Sequence, residues 1–389
     1  MKTPEEIFDE WLFSTLGTSD ELPPRFHPIP SEIAEPFDEQ RKVFKERVKK
    51  LDSLFLPNKK IEIHMDFIDG GICDAVTDLC GGIAIVGIFK GAIMLPLETF
   101  FRMFSHPLVL PDLGNSRIER RNGRHGEGLP TNYNDLIDLR RRDKRNPSPK
   151  HPNDPTRTSV ALLCMQIVWG FLAFHEIVHI VHGHLEYRFH QVAGVRYLFR
   201  LFRSGNSRIL SNDDLDLQTL ELWADAKAMS VTLGGLLTNS YGLLADSWFP
   251  RPQDKVFIWS FTMFTLFRIW GIKIDPANLH GHSHPALALR FQRVVAAAQL
   301  ELAQRFPELD EKEFWQAAFV GRQEAEKAIV YIGAKPLDKN DVSGIRDPRV
   351  DAHLNQLMDH YEHTLIPELQ KYSRVKIDFI SPALRQVSH

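Results

Sequence analysis

From Val160 to Val181 apolar residues run almost unbroken, so a helix through this stretch is apolar on most sides and is expected in the interior. A second helix is predicted around Leu217–Met229. Leu215, Leu217, Leu220, Leu222, Ala224, Ala228 and Met229 give it a broad apolar surface, and Ser211-Asn-Asp-Asp precedes it as a cap. A third spans Val256 to Trp270. Glu39 to Leu56 has the spacing of a basic amphipathic helix, and Lys60 to Phe67 alternates as a half-buried strand does. Ile83 to Phe89, bracketed by glycines, is a second strand, and Pro96 to Phe104 reads as a short helix. Tyr187 to Phe202 fits an amphipathic helix with a basic outer face. From Phe291 onward the chain is helical, ending in a polar helix from Arg349 to Tyr372. Prolines in Leu22-Pro-Pro and Pro28-Ile-Pro mark residues 1–38 as an extended arm after a short amphipathic start.

The apolar helix carries polar groups that its surroundings penalise. It contains His175-Glu176-Ile-Val-His179, and positions i and i+4 of a helix lie one above the other. Both imidazoles can therefore face one ion, with Glu176 about 100° round the axis, where a metal-bound water would stand. Burying three ionisable groups costs several kcal/mol each unless an ion or partner compensates them, roughly the scale of a whole domain's stability.

Two ligands leave a catalytic zinc site one short. A glycine and a histidine at fixed distances further along the same helix are one solution. Here His182 and Leu185 occupy those places, which excludes it. His182 itself is about 10.5 Å along the axis from His175, too far to share an ion. The second predicted helix offers Glu221 and Asp225 at i and i+4, one as third ligand and the other as acceptor for a ligand imidazole N–H.

Composition narrows the setting. The chain has 389 residues, 43% hydrophobic and 25% charged, ample for a large core. A net charge of −3 argues against bulk nucleic-acid binding and leaves only local basic patches as candidates for it. Cys73, Cys80 and Cys164 are too few for a disulfide framework and read as reduced core residues. The acidic N-terminus lacks the features of a signal peptide, so a cytoplasmic protein is expected. No membrane span is expected. The Val160–Val181 run would place a glutamate and histidines mid-bilayer, and Val256–Phe267 falls short of the roughly 20 residues needed. Residues 115–157 shift to Arg, Asn, Gly and Pro, a basic polar insertion whose position suits a lid. His280-Gly-His282-Ser-His284 is a further histidine cluster.

His175-Glu176-x-x-His179 followed by Glu221-x-x-x-Asp225 resembles the gluzincin metallopeptidases, in particular the prenyl-protein and heat-shock-type branch and its soluble relatives. Cys73-Asp74-Ala75-Val76 leading to Gly81-Gly82-Ile83-Ala84-Ile85-Val86 resembles that branch's substrate strand, with Asp74 where the family carries asparagine. Ser283-His284-Pro285 with Arg290 resembles its later His-Pro motif. In element order and in its soluble setting the chain resembles the Lit-like phage-exclusion peptidases more than the membrane enzymes.

The resemblance implies an α+β, mostly helical, zincin-like fold with a small sheet beside the His-Glu-x-x-His helix and a helical C-terminal lobe. The division expected is an N-terminal arm and helix over 1–58, a zincin-like catalytic domain over 59–300, and a helical extension over 301–389, with the resemblance covering roughly residues 60–295. The resemblance implies one Zn2+ on His175, His179 and Glu221, with Glu176 as general base and His284 as oxyanion donor. Asp225 and Arg290 are then supporting residues, and Asp74, Gly82, Ile83, Ala84 and Ile85 hold the substrate by strand addition. The implied activity is zinc-dependent endopeptidase action on a protein or peptide, such as a translation factor, in antiviral defence. A membrane-associated heat-shock-type peptidase and a non-enzymatic zinc-stabilised interaction module are the alternatives.

Overall fold

The computed structural model describes residues 2–16, 42, 44–46, 48–49, 54–119, 151–191, 199–200, 211–241, 243–270, 287–337 and 348–377. The protein is mostly helical with a small mixed sheet, an α+β arrangement. The N-terminal helix α1 (Pro4–Leu16) is followed by β1 (Ile63–Ile68), β2 (Ala75–Cys80) and β3 (Ile83–Phe89). β1 pairs parallel to β3, with His64 opposite Ile85, and β2 pairs antiparallel to β3, with Cys80 opposite Ile83. A two-residue strand, β4 (Phe199–Arg200), adds to the far side of β2, giving the order β1-β3-β2-β4.

Gly81 and Gly82 make the β2–β3 hairpin. Both lie in the left-handed region, at φ 60° and 86°, the pair of angles a two-residue turn of matching twist requires. The sheet is covered on both faces. Phe8, Trp11 and Leu12 of α1 pack on Ile68, Val76, Ile83 and Ile85, and the Trp11 indole donates to Asp78 at 2.9 Å. Met65, Phe67, Ala84, Val86 and Ile88 point the other way, into the main core.

That core centres on α3 (Pro155–Val181), which follows α2 (Lys90–Phe104) in the described chain. Asp154 caps α3 by accepting from the Arg157 N–H at 3.0 Å, and Pro155 fills the first helical position. Nearly every residue from Val160 to Val181 is buried, as expected of a helix apolar all round. Among the described residues this helix alone has the length and hydropathy to cross a membrane, and 83% of that window is buried inside the protein. Arg157, fully buried, spends all five of its N–H donors on the carbonyls of Phe104, His106, Val109, Leu110 and Leu113, which pins the segment between α2 and α3.

Around α3 stand α4 (His184–Gln191), α5 (Ser211–Leu237), α6 (Leu243–Trp248), α7 (Pro252–Trp270), α8 (Leu287–Ala303) and α9 (Glu311–Tyr331). α10 (Pro348–His360) continues through one π turn, Tyr361–Leu365, into α11 (Ile366–Tyr372). Several elements run beyond the expected bounds. α2 starts at Lys90 with Pro96 inside it, and the residues expected to cap α5 form its first turn. The helix expected over Tyr187–Phe202 ends at Gln191, and Phe199–Arg200 is strand. One hydrophobic cluster extends from Phe44 to Ile377, so the expected boundaries at 58 and 300 do not divide the core. Residues 120–150 of the basic insertion lie outside the described residues.

Candidate metal centre

α3 and α5 pack side by side and turn their polar residues toward each other. His175, Glu176, His179 and Asp225 are fully buried, and Glu221 is 2% exposed. His175 Nε2 lies 3.1 Å from Glu221 Oε2 and 3.0 Å from His179 Nε2, and His179 Nε2 lies 3.8 Å from Glu221 Oε1. Donors about 2.0–2.1 Å from one tetrahedral ion stand about 3.3 Å apart, a value these three separations bracket.

The outer ring nitrogens are held as well. His175 Nδ1 stands 2.9 Å from Asp225 Oδ1, in reach though off the ideal hydrogen-bond line. His179 Nδ1 stands 2.9 Å from His184 Nδ1. His182 turns away, accepting weakly from the Trp223 indole at 3.4 Å.

Burial opposes a charge on His175, yet the hydrogen bonds and charges of Asp225 and Glu221 outweigh it and raise its pKa to about 10. Burial also drives Glu176 well above the usual carboxylate range. His175 opposes this shift, while Glu221, Asp74 and Asp225 add to it. Burial, with His179 and His182 adding, holds His184 neutral, far below the ordinary histidine value.

A divalent cation fits this set. The Nε2 atoms of His175 and His179 converge on one carboxylate, and both oxygens of Glu176 are buried with no hydrogen-bond partner among the described residues. A proton on His175 balances the facing carboxylates, and an ion where the His175, His179 and Glu221 atoms converge could take that proton's place. Two imidazoles and a carboxylate are a donor set that can hold a divalent cation such as zinc.

Sequence reasoning brought His175, Glu176, His179, Glu221 and Asp225 together, and the fold places them so. Asp74 is buried at the entry to β2, where its Oδ1 accepts from the Ala75 N–H at 2.9 Å and its charge acts on Glu176. The expected substrate strand needs correction. Ile83, Ala84 and Ile85 lie on β3, the central strand, whose main-chain groups pair with β1 on one side and β2 on the other, and Gly82 is in the hairpin turn. No edge is left there for strand addition. The strand that packs on α3 toward the sheet's far side is β2, which sequence reasoning missed although Gly81-Gly82 between two strand-like runs marks a hairpin. His184 was missed too, its only sign being its place just past Gly183. His284 and the 280–284 cluster lie outside the described residues, and Arg290 is placed only as part of the α8 backbone.

Comparison with protein-family models, curated proteins and solved structures finds no match to this chain.

Proposed function

We propose that this chain is a zinc-dependent endopeptidase of zincin-like fold, with His175, His179 and Glu221 as metal ligands and Glu176 as general base. The observation that carries the reading is Glu176. A fully buried carboxylate with neither oxygen hydrogen-bonded among the described residues, one residue from a ligand histidine, has no structural return there for its desolvation. Bound zinc supplies a Lewis acid for the scissile carbonyl and brings the pKa of its water to about 7. Glu176 takes a proton from that water on a carboxylate oxygen and later delivers it to the leaving amine nitrogen. Its high proton affinity suits the accepting half of that cycle, and a cation held by His175, His179 and Glu221 would favour the ionised form that a base needs. Asp225 fixes the His175 ring by taking its Nδ1–H. In the Lit-like version of this reading the substrate is a host protein such as a translation factor, cleaved in defence against phage.

The test compares a cell lysate incubated with the zinc-loaded wild type and with Glu176→Gln, which keeps the shape and the metal ligands. The wild type should create new protein N-termini that the variant does not, while both hold zinc equally. Identical sets of N-termini would remove Glu176 from the mechanism, and with it the peptidase reading.

A further inference from the structure

A histidine that binds an ion through Nε2 must carry its hydrogen on Nδ1, and something must accept that hydrogen in the interior. For His175 the acceptor is Asp225. The Nδ1 atom of His179 stands 2.9 Å from another imidazole nitrogen, His184 Nδ1. Two imidazole nitrogens that close share one hydrogen, so one ring donates and the other offers a lone pair.

His184 reaches this place through a turn built for it. α3 ends at His182 and the chain reverses at Gly183, whose φ of +77° disfavours any residue with a Cβ. A Cβ there would lie 2.6 Å from the Tyr372 carbonyl carbon and 2.7 Å from the Ser373 nitrogen. The same C-terminal segment closes the helix end. The Arg374 N–H donates to the Val181 carbonyl at 2.8 Å, its Nη1 to Ile180 at 3.1 Å, and Ser373 Oγ to Val181 at 3.2 Å. The turn, the strap across it and the side chain beyond it form one unit directed at His179.

We infer that His184 is a positioning residue for the metal centre: its Nδ1 accepts the Nδ1–H of His179, fixing the tautomer and ring orientation that present Nε2 to the ion. This rests on the metal-site reading above. It requires His184 to carry its own hydrogen on Nε2, a nitrogen that is buried with no hydrogen-bond partner among the described residues. The arrangement favours His179 at the expense of His184. A carboxylate would accept the same hydrogen but would add a further negative charge beside Glu221, Asp225 and Glu176. A neutral imidazole supplies the lone pair without one.

The test is zinc affinity, by competition with a chromophoric chelator, for the wild type, His184→Asn and His184→Phe. Asparagine puts an acceptor oxygen where His184 Nδ1 stands; phenylalanine fills the space with none. Zinc should bind His184→Phe about tenfold to a hundredfold more weakly than the wild type, and His184→Asn within a few-fold of it. Equal affinity in the phenylalanine variant overturns the inference and leaves the three-ligand site intact. A wild type that holds no zinc overturns the site itself, and the inference with it. Should the phenylalanine variant not fold, nitrogen-15 shifts of labelled histidines in the zinc-loaded wild type decide, assigned with His184→Asn. His184 protonated on Nε2 and His179 on Nδ1 is the expected pattern, and His184 protonated on Nδ1 contradicts it.

Discussion

Glu176 and His175 occupy adjacent positions on one buried helix, and their environments push both toward the protonated form for different reasons. Glu176 is driven by desolvation, His175 by the two carboxylates that face it. The sign for the metal-free protein follows. A histidine raised from about 6.5 unfolded to about 10 folded contributes stability that is fully present below pH 6.5 and fades as pH rises through 10. Zinc bound at His175 would displace that proton, and an ionised Glu176 would release another, so uptake at pH 7 should release at least one proton per ion. Calorimetry of zinc binding in two buffers of different ionisation enthalpy measures this; equal apparent enthalpies would show that no proton leaves. The histidines and glutamates themselves were legible in the sequence because helical spacing alone puts 175 with 179 and 221 with 225. His184 was not, since its approach depends on a reversal at Gly183 that spacing along a straight helix does not describe.

At the scale of elements, α3 shows why a sequence-level reading worked for its core and missed its surroundings. An uninterrupted apolar run needs no partner to be recognised as a buried helix. A strand's place in a sheet does depend on its partners. β3 is the most apolar strand because it is central, so the property that drew attention to Ile83–Phe89 also denies it an edge. The turn ending α3 gives a prediction at this scale. Gly183→Ala adds left-handed strain to contact with the backbone of Tyr372 and Ser373, and should lower unfolding stability by about 2 kcal/mol or more. Urea titration of the variant checks it, and an unchanged midpoint would mean that the turn can adopt another geometry.

Across the whole molecule, the C-terminal residues return to the centre. Lys59 donates to the carbonyls of Lys371 and Ser373, Leu56 to that of Arg374, and Arg374 pairs with Glu186 of α4 while it caps α3. Residues of the expected helical C-terminal extension therefore close the helix that bears the candidate site. Sequence pattern sees helices after residue 300 but not where they dock, because amphipathic periodicity identifies an apolar face and leaves its partner open. Arg374→Ala removes a long-range tie between the chain's end and α3, and should cost on the order of 2 kcal/mol, seen as a lower melting temperature. A melting curve superimposable on the wild type's would show that α3 closes without that strap.

The central claim is that α3 and α5 hold one zinc ion between them, and the most direct measurement is the metal content of the purified chain beside Glu221→Ala. The expected result is about one zinc per wild-type chain and little in the variant, with both still folded, since two imidazoles alone hold the ion poorly. Zinc retained in full without Glu221, or absent from both proteins, would contradict it.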